Sequence, residues 1–446
     1  MAVCPLEFRY GRDLMKGIFS EEHRLQCILD VEARLAEAQA EVGNISKEHA
    51  KLIRQASNTK IVSIARVNEI DREINHEITA VIRVLGEQSG EGGKYVHLGV
   101  TSNDILDTCA AMQIRDALKV IEGDLIALRS ALAEQAGRHR QTLMIGRTHG
   151  QFALPITFGL KMAIYSLEVH RHLERLDQLR PRICVGKMSG AVGTSAGLGS
   201  KAMEIQKLVM KGLDLGIEEG PSQIVARDRY VELFSVLCNI ATSVEKIATE
   251  VRNLQRSEIG EVSEAFDSKK QVGSSTMAHK RNPILAENVC GLARVVRANM
   301  IPAFESAILW HERDLTNSSA ERFTVPHTFI ILDDILVKIE RIIRNLIVNG
   351  ERMRQNLEMA GQRIMAEPVI MRLVDKGLGR QEAHERVRIC SMRLDDGKTD
   401  DFREALKADE KIGKLLCDED LDKCFCLEEY LGSTQETIDN ILAKYR

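Results

Sequence analysis

Between Pro221 and Pro283 the chain runs 61 residues without a proline. Inside that stretch Tyr230, Phe234, Leu237, Ala241, Val244, Ala248 and Val251 recur at alternating steps of four and three. Those steps place all seven side chains along one side of an α-helix. Leu233, Ile240, Ile247 and Leu254 run beside them and widen the apolar stripe. A stripe this long and broad has to be covered by other helices. Two more segments carry the same pattern: Ile114, Leu118, Ile121, Leu125, Leu128 and Leu132, then Phe329, Leu332, Leu336, Ile339, Ile343 and Leu346. A further apolar helix is expected from about Ile156 to Leu179. The eight prolines are widely spaced, so little interrupts these helices. The expected class is all-α, with a central bundle of five or so long helices whose wide stripes also bury against other copies of the chain.

The flanking regions are helical but choppier. Residues 21–42 and 68–86 each read as one amphipathic helix, and Ser89-Gly90-Glu91-Gly92-Gly93 breaks the chain after the second. Shorter, charged helices follow Glu367-Pro368. The expected division is an N-terminal helical domain, 1–104, a central helical-bundle domain with a mobile loop, 105–363, and a C-terminal helical domain, 364–446.

Composition excludes several function classes. Acids and bases nearly balance, at a net charge of −4, so no polybasic surface for nucleic acid or anionic membrane is expected. Aromatic residues are 4% of the chain, too few for a base-stacking platform. Apolar runs are short and broken by charge, which argues against a membrane span or a secretory leader. The ten cysteines are scattered, and the Cys424/Cys426 spacing is not a zinc pattern, so free thiols in a reducing cytoplasm are expected. No metal-ligand cluster stands out. Gly86 to Lys94 lacks the first glycine of a phosphate-binding P-loop, and Gly186 to Gly199 follows no convincing strand.

The chemistry concentrates in polar breaks. Gly273-Ser274-Ser275-Thr276-Met277-Ala278-His279-Lys280-Arg281-Asn282-Pro283 joins paired hydroxyls, two fixed cations and an Asn-Pro helix start. A glycine-led loop exposes backbone N–H groups, and a helix N-terminus attracts an anion, so the segment suits a small carboxylate. A plain loop-to-helix junction needs the Asn-Pro but not the serines or the Lys-Arg pair. His149 sits in Gly146-Arg147-Thr148-His149-Gly150-Gln151, among polar and glycine residues between two helical segments, a setting that suits proton transfer. His76, in Asn75-His76-Glu77, has Glu73 one helical turn away, which would hold its imidazole; the alternative is a surface ion pair. His97 lies just before Thr101 and Ser102, whose hydroxyls could hold anion oxygens or simply cap a helix. Arg313, Ser318 and Arg322 fall in a polar-dense run after the only tryptophan, Trp310, and Arg9-Tyr10 offers a clamp near the start of the chain.

Taken in order, Gly99 to Asp104, Arg147 to Gln151, Gly273 to Pro283 and Trp310 to Arg322 resemble the adenylosuccinate lyase family of the fumarase/aspartase superfamily. The resemblance implies a homotetramer with shared central helices and each active site built from three subunits. It implies release of fumarate from N6-succinyl-AMP and from the ribotide SAICAR, without a cofactor. It implies Ser274 as general base and His149 as general acid. Ser275, Lys280 and Asn282 would hold the succinyl carboxylates, and Arg281 would also bind substrate. His76, flanked by Asn75 and Glu77, and His97 would support the phosphate and the acid. Thr101, Ser102 and Gln223 would hold the succinyl or purine portion, and Arg9, Tyr10, Arg313, Ser318 and Arg322 the nucleotide. The chain departs from the family pattern at Ala278, where proline is usual, at Asn75 and Glu77, where arginine and aspartate are usual, and at Asn288, where some members have arginine. A sister lyase or cycloisomerase, acting on argininosuccinate or carboxymuconate, shares the loop chemistry. A non-catalytic helical scaffold shares the seams, but gives no reason for Ser274, Lys280 and His149 in polar breaks.

Overall fold

The computed structural model describes residues 3–266, 276–277, 279–395 and 401–444. Helix dominates, and β-structure among the described residues is confined to three two-stranded ribbons. The longest helices are Ser102–Arg138, Phe158–Ile183, Asp228–Leu254 and Thr316–Arg344, with Ile284–Ala298 as a shorter companion. The chain divides into two compact units. One is Met1–Ala127, Val169–Lys246 and Asn288–Ile339; the other is Leu128–Glu168, Ile247–Glu287 and Glu340–Arg446. This grouping cuts across chain order because each long helix supplies residues to both.

In the first unit the three seams are buried as their periodicity requires. Leu118, Ile121 and Leu125, Phe234, Leu237 and Ala241, and Phe329, Leu332 and Leu336 are each at most 1% exposed. Burying a side chain of leucine size contributes about 1.5–3 kcal/mol, so these rows dominate the unit's stability. The Glu21–Glu41 helix begins at Ser20, whose side chain accepts the His23 N–H, and it buries Ile28, Leu29 and Leu35. Helices Lys47–Ala56, Glu77–Gln88 and Ala202–Gly212 complete that core.

The expected 68–86 helix is two helices. Ile64–Ile74 ends at Asn75, which adopts φ 51°, and Glu77–Gln88 starts after His76. Asparagine tolerates the left-handed region, and the His76 ring nitrogen Nδ1 accepts the Thr79 N–H at 3.3 Å as a cap. Local polar groups outweigh the apolar period here. They also take His76 out of the helical spacing that would have set Glu73 beside it.

In the second unit the stretch expected to be a break between helices is a β-hairpin. Leu143–Thr148 pairs antiparallel with Gln151–Thr157, and His149-Gly150 forms its two-residue turn with φ 55° and 75°. Two consecutive positive φ values match the right-handed strand twist, which favours glycine at one position. The C-terminal helices Ala366–Asp375, Arg380–Asp395 and Phe402–Lys407 close around Val369, Leu373, Phe402 and Leu406.

Candidate active site

In the second unit, His149 is exposed at the hairpin tip. The strand before it is anchored by Arg147, whose guanidinium donates to both oxygens of Glu261, at 2.9 and 2.6 Å. Glu261 is fully buried and also accepts from Asn356 Nδ2 at 2.8 Å. A bidentate pair of this kind fixes direction as well as distance. The tip therefore stands on a rigid base while its imidazole meets solvent.

Of the serine-rich loop, Ser274, Ser275 and Ala278 lie outside the described residues. Lys280 and Arg281 are exposed, and Asn282 is half-buried. The Arg281 guanidinium lies 5.3 Å from the centre of the Phe266 ring. Gln255 joins the two limbs of the loop: its side-chain oxygen accepts the Glu264 N–H at 2.9 Å, and its amide donates to the Arg281 carbonyl at 3.1 Å. The first amides of the Ile284–Ala298 helix are engaged. Glu264 accepts from Leu285 N–H at 3.2 Å and Ala286 N–H at 2.6 Å. Burial pushes the Glu264 carboxyl up, and these two amides hold it back. The helix N-terminus that the sequence offers to a substrate anion thus carries a carboxylate of the chain itself.

The first unit contains a cleft of about 720 Å³. Asn75, Glu77, Arg313, Ser318 and Arg322 line it together with Arg24. Glu77 accepts from Arg24, and from Arg322 at 3.0 Å. Burial alone would raise the Glu77 carboxyl, but the two guanidinium groups hold it below its ordinary value. Below them Arg227 is bracketed by Asp107, at 2.9 and 3.0 Å, and by Glu321, at 2.8 and 3.1 Å. Arg313 is matched differently. Its Nη1 donates to the neutral amide of Gln223 at 3.1 Å, and its buried Nε has no hydrogen-bond partner. Burial and the nearby Arg227 cation depress its pKa, which is the signature of a charge that an incoming anion would relieve.

Thr101 and Ser102 stand where the Ser102–Arg138 helix begins. Asp104 is fully buried and gathers four donors: Lys187 Nζ at 2.5 Å and Ser189 N–H at 2.9 Å on one oxygen, Thr101 N–H at 2.8 Å and Gly190 N–H at 3.0 Å on the other. Asp104 is thus the cap of this helix and its tie to the 187–190 turn. His97 lies upstream, with φ 62° and its ring nitrogen Nδ1 2.6 Å from Glu32. Arg9 is exposed at the end of the short Pro5–Phe8 helix, and Lys338 Nζ sits 5.0 Å from the Tyr10 ring centre.

The described residues thus bring five of the expected binding residues to one cleft, with Gln223 bonded to Arg313. Arg9, Tyr10, His76, His97, Thr101 and Ser102 belong to the same unit but do not line that cleft. His149, Lys280, Arg281 and Asn282 belong to the second unit. Sequence reasoning missed Arg24, Asp107, Arg227 and Glu321. Asp107 and Arg227 fall at helical spacing just ahead of the apolar rows that start at Ile114 and Tyr230, and a charge in that position was the available signal.

A family model described as Lyase matches residues 7–298, and one described as Adenylosuccinate lyase C-terminus matches residues 363–441. Adenylosuccinate lyase of Pyrococcus abyssi is 49% identical over 443 residues, 99% of this chain and 98% of that protein. Its Pyrococcus horikoshii counterpart is 50% identical over 442 residues, with 99% and 98% covered. Among solved structures, a fumarate lyase from Mesorhizobium sp. BNC1 matches with a TM-score of 0.87 and 33% identity over 97% of this chain and 98% of that one. The 3-carboxy-cis,cis-muconate lactonizing enzyme from Pseudomonas putida matches equally, at 0.87 and 33%, over 98% and 97%. The fold is therefore common to lyases and lactonizing enzymes. The closer sequence likeness, with both family models, assigns the branch: the chain belongs to the adenylosuccinate lyase family of the fumarase/aspartase superfamily.

Proposed function

We propose that this chain releases fumarate from N6-succinyl-AMP, leaving AMP, and from SAICAR, leaving AICAR. End-to-end likeness to adenylosuccinate lyases, at about half identity, carries the reading. The cleft supports a nucleotide substrate, because Arg313 is a partly desolvated cation that hydrogen-bonds to a neutral amide and whose pKa stays depressed despite the nearby carboxylates of Asp107, Glu321 and Asp314.

In this mechanism Ser274 takes the Cβ proton of the succinyl group. The electrons of that C–H bond form the C=C bond of fumarate, and the C–N pair leaves with the nitrogen of the product, N6 of AMP or the carboxamide nitrogen of AICAR, which His149 protonates. The carbanion beside a carboxylate is an aci-carboxylate dianion and needs positive charge nearby. Lys280 supplies a full charge, with Ser275, Arg281 and Asn282 holding the succinyl carboxylates. Serine is a weak base at its ordinary pKa, so it needs a pocket that excludes water. Asn75, His76, Glu77 and His97 support the phosphate and the acid. Thr101, Ser102 and Gln223 hold the succinyl or purine portion, and Arg9, Tyr10, Arg313, Ser318 and Arg322 the nucleotide.

The active assembly in this proposal is a homotetramer with sites shared between subunits. Ile301, Phe304, Ile308, Trp310, Leu315 and Phe323 are each more than half exposed, and apolar surface of that kind marks contact with another chain. The three-domain division remains part of the proposal, and its second boundary meets the start of the C-terminal family match at residue 363. A cytoplasmic location accords with ten free thiols, and among the described residues no helix is long and apolar enough to cross a membrane.

Ser274→Ala and His149→Gln should each abolish turnover of succinyl-AMP while the oligomer persists by size-exclusion chromatography. Retained turnover in either variant rejects that residue's role. Cleavage of argininosuccinate instead of succinyl-AMP rejects the substrate.

A further inference from the structure

His97 is held in a way that packing alone does not require. Its backbone takes φ 62°, a region that a non-glycine residue occupies under strain. Its N–H donates to Glu32 Oε2 at 3.1 Å, and its ring Nδ1 lies 2.6 Å from Glu32 Oε1. Glu32 comes from the Glu21–Glu41 helix, and its side chain is 1% exposed, whereas that of His97 is 16% exposed. Gln39 of the same helix donates its amide to the Leu98 carbonyl at 3.0 Å, so the segment is already pinned without the imidazole. A buried acid spent on a strained histidine sets that ring's direction.

A carboxylate only accepts hydrogen bonds. With one oxygen on the backbone N–H and the other on the ring, Nδ1 must carry a proton. Nε2 then carries the lone pair of the neutral ring, as the partner on one nitrogen sets the state of the other.

We infer that Glu32 is a positioning residue for the lyase reaction, locking His97 as the Nδ1–H tautomer so that Nε2 faces the ligand for proton exchange or hydrogen bonding. The inference rests on His97 belonging to the active site, and the test separates the two. Glu32→Gln changes one atom. The fixed backbone N–H must face the amide oxygen, which leaves the –NH2 against Nδ1. That nitrogen must then accept, and the proton moves to Nε2.

The full-length enzyme, ¹⁵N-labelled at histidine, reports the tautomer by NMR. Wild type should show Nδ1–H at His97 and Glu32→Gln should show Nε2–H. With succinyl-AMP, kcat of the variant should fall by roughly 10²–10⁴-fold with little change in KM, the scale seen when a catalytic histidine is held in the wrong tautomer. An Nε2–H signal in wild type overturns the inference, and it needs no variant to fold. So does a folded Glu32→Gln enzyme with an inverted tautomer and undiminished kcat. Wild-type turnover by His97→Gln, in contrast, removes His97 from the site whatever its tautomer.

Discussion

Asp104→Asn and Lys187→Met should destabilise the chain unequally, although they break the same ion pair. Both side chains are wholly buried. Losing one partner of a buried pair costs about 3–5 kcal/mol, because the other charge stays desolvated. The structure shows how that cost divides. Without Lys187, Asp104 still accepts from the Thr101, Ser189 and Gly190 N–H groups, so its charge stays solvated by three amides. The expected loss is about 3 kcal/mol, the low end of the range. Asparagine at 104 keeps one acceptor oxygen. If that oxygen serves Lys187 and Ser189, the new –NH2 points at the Thr101 and Gly190 N–H groups, and two half-buried donors lose their acceptor. Each orphaned donor costs about 1–3 kcal/mol, so the total is about 5 kcal/mol or more. At roughly 1 °C per kcal/mol for a chain this long, Tm should fall about 3 °C for Lys187→Met and 5 °C or more for Asp104→Asn. Differential scanning fluorimetry at fixed scan rate and protein concentration reads both. Equal losses, or a larger one for Lys187→Met, would refute the claim that the carboxylate is the hub.

Two other outcomes follow from buried charge. Burial and the neighbouring Asp333 push the Asp124 carboxyl up to about 7, although Arg12 opposes both. A raised carboxyl binds its proton more tightly in the folded chain. Its contribution is complete below the unfolded value near 4 and is lost as pH climbs through about 7. Asp124→Asn should therefore flatten the fall in Tm between about pH 4 and 7, and an unchanged slope there would count against the shift. Arg313→Met removes the partly desolvated cation of the cleft. A charged hydrogen bond contributes about 1.5–3 kcal/mol, so KM for succinyl-AMP should rise roughly 10- to 150-fold with oligomer state unchanged, and an unaltered KM would remove Arg313 from the nucleotide site.

Much of the fold was legible because helical periodicity survives in sequence. The rows from Tyr230 to Val251 and from Phe329 to Ile343 are buried in the helices they implied, and Leu346 is buried just past the end of the second. The two errors of secondary structure share a cause. Asn75 ends a helix and His149 turns a hairpin through positive φ, a one-residue backbone choice that leaves no periodic trace. His-Gly between two short apolar runs was the available hairpin signal, weaker than Asn-Gly. At the site, residue types were readable but partners were not. Glu264 reaches amides more than twenty positions along the chain, and Glu32 holds a histidine 65 positions away. Contacts at that separation are set by tertiary packing, which local pattern does not encode.

Glu264 also bears on the electrostatics of the proposed reaction. A helix N-terminus offers about half a positive charge, and the sequence presents this one to a small carboxylate. Its first amides bond instead to a carboxylate of the chain, which cancels most of that field at longer range. Under the proposed mechanism, the stabilising charge near the succinyl group then falls to Lys280, a full and exposed cation. The helix terminus has a different use. With Gln255 bonded to both limbs and Arg281 lying over Phe266, it binds the residues entering the loop to those leaving it. These bonds set Arg281 and the start of the helix against residues 264–266.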